Sequence, residues 1–97
     1  VGSFLPDYIE QKIFIHDPFV RLDEPGVGQL IDIAIERGKK TNADLTLGVC
    51  GEHAGDPASI DFFHKAGIDY ISCSPYRIPI ARVAAARSKI KLSGEQK

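Results

Sequence analysis

Leu45-Thr46-Leu47-Gly48-Val49-Cys50-Gly51-Glu52-His53-Ala54-Gly55-Asp56-Pro57 is the stretch whose reading decides the fold. Leu45 to Cys50 reads as a short buried strand that empties into a glycine-rich loop. Asp56-Pro57 supplies an N-cap and a first helical position, so a helix should run to about Ala66 and stop at Gly67. Ile68 to Cys73 reads as a second strand. A strand, a helix and a second strand with short connections demand a parallel pair crossed by a right-handed helix.

Working outward, Pro6 suits the first turn of a short helix over residues 6 to 14, with Leu5, Ile9 and Ile13 at fourfold spacing. Asp17-Pro18 opens a turn, and Phe19, Val20 and Leu22 form an apolar patch. Val27, Leu30, Ile31, Ala34 and Ile35 follow at the spacing of a one-sided amphipathic helix. That helix should end near Gly38, with Arg37, Lys39 and Lys40 complementing its C-terminal dipole. Beyond the second strand, Ser74-Pro75 or Ile78-Pro79 starts a last helix that runs through Ala84, Ala85 and Ala86 to about Ile90. Ser93 to Lys97 reads as a frayed tail.

Two parallel strands do not make a stable sheet alone, since such strands need neighbours and cover on both faces. The fold class expected is therefore α/β, with about two parallel strands and three to four helices forming the last units of a larger domain, possibly a barrel. The composition agrees with part of one soluble domain: 97 residues, 43% hydrophobic and 26% charged, with a net charge of −1. Nothing in the charge distribution suggests a nucleic-acid or membrane-surface partner. No apolar run approaches a membrane span, and no secretory signal is visible, which gives a cytoplasmic expectation, or an organelle if a targeting segment was removed. Val1-Gly2-Ser3, in a chain without methionine, reads as a cut end.

The loop after the first strand gathers a thiol, a carboxylate, an imidazole and a second carboxylate within seven residues. That density suits chemistry more than packing. A cation such as His53 would favour the Cys50 thiolate, whereas Glu52 and burial would favour the neutral thiol, able to donate a proton. Cys50 packing at a strand end is the plainer alternative. Glu52, His53, Asp56 and Cys73 offer a mixed ligand set, but without regular zinc spacing. Structural work suits them better: Asp56 as a helix cap, Glu52 or His53 bonding to neighbouring loops. His16 and His64 read as packing or surface histidines, and both cysteines as reduced thiols. Arg77 and Arg82 have the chemistry to grip a phosphate or carboxylate, though salt bridges are the simpler role. No phosphate-binding glycine loop and no nucleophile elbow is present. By position alone, Cys73 at the end of the second strand competes with Cys50.

Three blocks, taken together, settle more. Asp17-Pro18-Phe19 with Gly26-Val27-Gly28-Gln29-Leu30, Gly48 to Pro57, and Tyr70 to Arg82 resemble, in order and spacing, the C-terminal end of the pyruvate, phosphate dikinase family. The resemblance covers nearly the whole chain. Phosphoenolpyruvate synthase and enzyme I of the sugar phosphotransferase system share the cysteine loop, and either is the alternative parent. A non-catalytic binding or assembly module using the apolar face of residues 27 to 35 is a further alternative.

The resemblance implies that residues 1–97 are a C-terminal fragment of a (β/α)8 barrel that binds pyruvate or phosphoenolpyruvate with Mg²⁺. The parent would interconvert ATP, phosphate and pyruvate with AMP, pyrophosphate and phosphoenolpyruvate through a phosphohistidine domain, commonly as a homodimer. The family's catalytic cysteine maps to Cys50, as donor and acceptor of the proton at the pyruvate methyl carbon. Gly51, Glu52, His53, Asp56 and Cys73 would support it. Metal and cofactor ligands would lie outside this chain, and the fragment alone should be inactive.

Overall fold

The computed structural model describes residues 2–95. Four α-helices and two strands follow one another as α1 (Leu5–Glu10), α2 (Val27–Thr41), β1 (Gly48–Cys50), α3 (Pro57–Ala66), β2 (Tyr70–Ser72) and α4 (Ile78–Glu95). Short 3-10 turns, Glu52–Gly55 and Pro75–Arg77, lead into α3 and α4. The strands are parallel, as the connection through α3 requires, in the register Gly48↔Tyr70, Val49↔Ile71, Cys50↔Ser72.

Both strands are shorter than the apolar runs that announce them, and the first is not buried as its apolar run suggests, since a two-stranded sheet leaves Gly48 and Cys50 exposed and Val49 only half-buried. Among the described residues each has one neighbour, so ladder bonds form along a single edge, over three paired positions. Asp69 replaces the ladder just before it: its carboxylate accepts from Leu47 N at 2.8 Å, and its own amide donates to Leu47 O at 2.9 Å.

α3 follows its sequence signals at both ends. The Asp56 carboxylate accepts from Ser59 N, Pro57 opens the helix, and Gly67 closes it in the left-handed conformation at φ 96°. Its inward residues Ile60 and Phe63 are buried. Ile60 meets Ala81 and Ala84 of α4, with Ile71 and Cys73 packed against that cluster. Ala81, Ala84 and Ser88 recur at i, i+3 and i+7, so α4 presents a face of small buried residues. A polar chain crosses the same contact: Ser88 Oγ donates to Asp61 Oδ1 at 2.8 Å and lies 2.9 Å from His64 Nδ1. The Ser88 hydrogen bond, with Lys65 beside it, holds the Asp61 carboxyl below its ordinary value against a smaller opposing effect of desolvation.

Three helices depart in their bounds from the sequence reading. α1 ends at Glu10 instead of residue 14, because Lys12 adopts φ 61° and the amides of Ile13 and Phe14 turn back to Tyr8 O. α2 continues through Gly38 to Thr41, where extended Asn42 ends it. Lys39, read as a dipole partner, also bonds to Leu45 O and pairs with Asp69 at 3.8 Å, tying the helix end to the strands. The last helix starts in two steps, a 3-10 turn from Pro75 and then α4, and it is helical through Glu95, so the frayed tail is not seen over Ser93–Glu95. Gln96 and Lys97, the rest of that expected tail, lie outside the described residues.

The apolar stripe of α2 exists but is not covered. Leu30 is 65% exposed, and Gly28, beneath the Phe62 ring, is the buried residue of that helix. No helix among the described residues is long and apolar enough to cross a membrane.

Candidate active-site loop

The loop begins at Cys50, the last rung of β1, opposite Ser72. Its thiol is exposed, contrary to the packing alternative. Cys73, one residue beyond the matching rung of β2, is half-buried against Ile60 and the α4 alanines. Both are free thiols, as expected. The two cysteines therefore differ in burial, Cys50 being the more exposed.

Gly51 makes the turn. Its φ of 117° with ψ −175° lies where only glycine sits without strain. The chain then tightens into the 3-10 turn, with Ala54 N donating to Gly51 O at 3.1 Å and Asp56 N to His53 O at 3.2 Å. Ala54 and Gly55 are buried, and the Arg77 stem lies across Gly55 so closely that an added Cβ would stand 3.0 Å from it. Arg77 therefore braces the loop through its methylenes. Arg82 instead lines an open groove with Ile71, Cys73 and Ile78.

Two polar ties join this loop to the turn at residues 17–22. His53 Nε2 lies 2.6 Å from Pro18 O, and because a carbonyl can only accept, that nitrogen carries the hydrogen. The second tie runs through Asp56, whose buried carboxylate accepts from Ser59 N at 3.0 Å and Ser59 Oγ at 2.7 Å. Arg21 Nε stands 3.5 Å from the same oxygen, and Ser59 Oγ in turn accepts from Leu22 N at 2.9 Å. Asp56 is thus the expected cap, and also the centre of a network that the sequence reading did not contain.

The ionisable residues of the loop are accordingly divided among separate tasks. His53 faces Pro18, Asp56 faces Ser59 and Arg21, Cys73 packs against the core, and Glu52 is exposed. The mixed metal set is not assembled, and no group of three possible ligands occurs among the described residues. Arg21 and Ser59 are neighbours of the loop that sequence reading missed. The Asp56-Ala58-Ser59 spacing does carry a signal for Ser59, since a residue three beyond an N-cap commonly returns a bond to it. Nothing local points to Arg21. His64 and His16 are packing and surface histidines as read, the first beside Ser88 and the second 3.4 Å from Arg21 NH1.

Two parallel strands joined through α3, with an exposed thiol and a glycine turn at the end of the first, define an α/β unit. Comparison with known proteins makes the class specific. Residues 8–90 match the family described as PEP-utilising enzyme, PEP-binding domain, and the chain belongs to that family. It is 69% identical over 91 residues to a pyruvate, phosphate dikinase of Rickettsia conorii, 94% of this chain and 10% of that protein. A chloroplastic pyruvate, phosphate dikinase of rice is 59% identical over 87 residues, 90% of this chain and 9% of the relative. The dikinase of Clostridium symbiosum is 53% identical over 89 residues, 92% and 10% respectively. The chain spans about a tenth of the length of the curated relatives it matches.

Proposed function

We propose that this chain is the closing part of the phosphoenolpyruvate-binding (β/α)8 barrel of a pyruvate, phosphate dikinase, and that Cys50 moves the proton at the substrate methyl carbon. The observation that carries the reading is the exposed Cys50 thiol at the end of β1, beside a Cys73 that is half-buried against the core. Identity of 53–69% to dikinases from bacteria and a plant supports the choice of parent. The uncovered α2 stripe and the two bare strand edges fit a unit whose remaining barrel strands and helices come from elsewhere in that parent.

In the pyruvate-forming direction, the Cys50 S–H bond breaks and a C–H bond forms at the methylene carbon of enolpyruvate. The enolate charge collapses to the ketone, and the thiolate left behind regains a proton from solvent. In reverse, the thiolate takes a methyl proton and pyruvate becomes the enolate. A rigid strand end suits this task, because carbon protonation must occur on one face of a held enolate. Mg²⁺ is the expected metal of the parent, where it would polarise the substrate oxygens. The donor set of the described residues does not fit such a site, so no step here is routed through it.

The test is exchange of pyruvate methyl protons with deuterium, followed by NMR on the intact protein with Mg²⁺. Cys50→Ala should abolish exchange while pyruvate still binds. Exchange at the wild-type rate in that variant would defeat the assignment.

A further inference from the structure

We infer that His53 is a positioning residue for the Cys50 thiol, acting by tying the turn that follows the thiol to the Pro18 carbonyl. The inference rests on the proton-transfer reading of Cys50 given above.

Sheet bonding holds Cys50 from one side only. The pairing of Cys50 with Ser72 is the last rung, and beyond it the chain passes through Gly51, whose conformation offers no side-chain anchorage. Glu52 is exposed. His53 is thus the first residue after the thiol whose side chain reaches a remote segment, 35 residues away in sequence. The receiving segment is itself fastened, since Arg21 meets Asp56 at 3.5 Å and Leu22 N meets Ser59 Oγ at 2.9 Å. The His53 bond therefore ends on a fixed post. The tie at Asp56 and Ser59 fixes where α3 begins, whereas the tie at His53 fixes the turn next to the sulfur. Cutting the second leaves the helix cap whole and removes the tie nearest the sulfur, so that the turn after Cys50 is held to its surroundings only from Ala54 and Gly55 onward, where Arg77 braces it. A displacement of about 1 Å at a reacting group costs on the order of a hundredfold in rate, so this freedom should be visible in turnover.

The donor geometry selects the variants. A glutamine amide nitrogen falls near the place of histidine Nε2, while an asparagine nitrogen falls near that of Nδ1, too short to reach Pro18. In the intact protein, His53→Asn and His53→Phe should each lower kcat for methyl-proton exchange about tenfold or more, with KM for pyruvate unchanged within about twofold. His53→Gln should restore most of the rate. Hydrogen exchange over residues 17–22 should rise in the first two variants and not in the third. If His53→Asn and His53→Phe exchange pyruvate protons at the wild-type rate while Cys50→Ala is inert, the positioning role is wrong and the function stands. If His53→Gln is as slow as His53→Asn, the hydrogen bond is not the cause and the inference falls. If Cys50→Ala itself exchanges normally, the underlying reading of the thiol falls. Should His53→Phe fail to fold, the comparison of the glutamine and asparagine variants still decides.

Discussion

Ser59→Ala tests the network that joins the loop to residues 17–22. Ser59 is fully buried, and its hydroxyl does two jobs, donating to Asp56 Oδ2 at 2.7 Å and accepting from Leu22 N at 2.9 Å. Removal leaves the Leu22 amide as a donor with no partner on a residue that is only 9% exposed. A buried donor without a partner costs about 1–3 kcal/mol. Asp56 loses less, because Ser59 N and Arg21 still reach the same oxygen. The substitution should therefore cut protection of the Leu22 amide about 5- to 150-fold, at roughly 1.4 kcal/mol per factor of ten. Asp56→Asn is the contrasting variant: an asparagine carbonyl can still cap α3, so its cost should stay below about 1 kcal/mol. Hydrogen exchange resolved at residues 17–22 in the intact protein is the assay. Leu22 protection unchanged within twofold in Ser59→Ala would refute the argument that this hydroxyl satisfies that amide.

Other expectations follow from the loop and the helix contact. Gly51→Ala meets no neighbouring atom, so its whole effect is conformational, about 1–3 kcal/mol from forcing a side chain to φ 117°, measurable as a lowered urea midpoint. Ser88→Ala should return the Asp61 carboxyl towards its ordinary value, since the Ser88 bond is the main cause of its lowering. A carboxyl lowered on folding contributes stability above its unfolded value, about 3.9, and loses it as pH falls through the folded value. The part of the wild-type advantage carried by Asp61 is therefore complete at neutral pH and shrinks below about pH 4. Urea midpoints of both proteins between pH 7 and 3 check this, and a gap that widens in acid would contradict it.

What was legible in the sequence was what short-range chemistry encodes. Asp56, Pro57 and Gly67 bound α3 because capping needs only neighbours in the chain, and the parallel pair follows from the helix between two apolar runs. The thiol is legible as a candidate, and the family resemblance ranks it above Cys73; the difference in burial between the two depends on the packing of α4 and is not legible in the residues. The end of α2 was misread because glycine permits a helix stop without imposing one. At Gly38 the close approach of Leu45 explains the missing side chain instead. The bonds from His53 to Pro18 and from Leu22 to Ser59 span 35 and 37 residues, and no periodicity announces contacts of that range. The apolar stripe of α2 is legible as a stripe, but its exposure, 65% at Leu30, is not.

The polar chain between α3 and α4 has a direction. Ionised Asp61 can only accept, so the single hydroxyl hydrogen of Ser88 is committed to it. Ser88 then has only lone pairs to offer His64, and Nδ1 must supply the hydrogen. Neutral His64 is thereby confined to one tautomer, with its unprotonated nitrogen at Nε2, the ring position farther from the backbone. Two helices packed against each other thus dictate, by way of one serine, which nitrogen of a neighbouring imidazole bears the hydrogen.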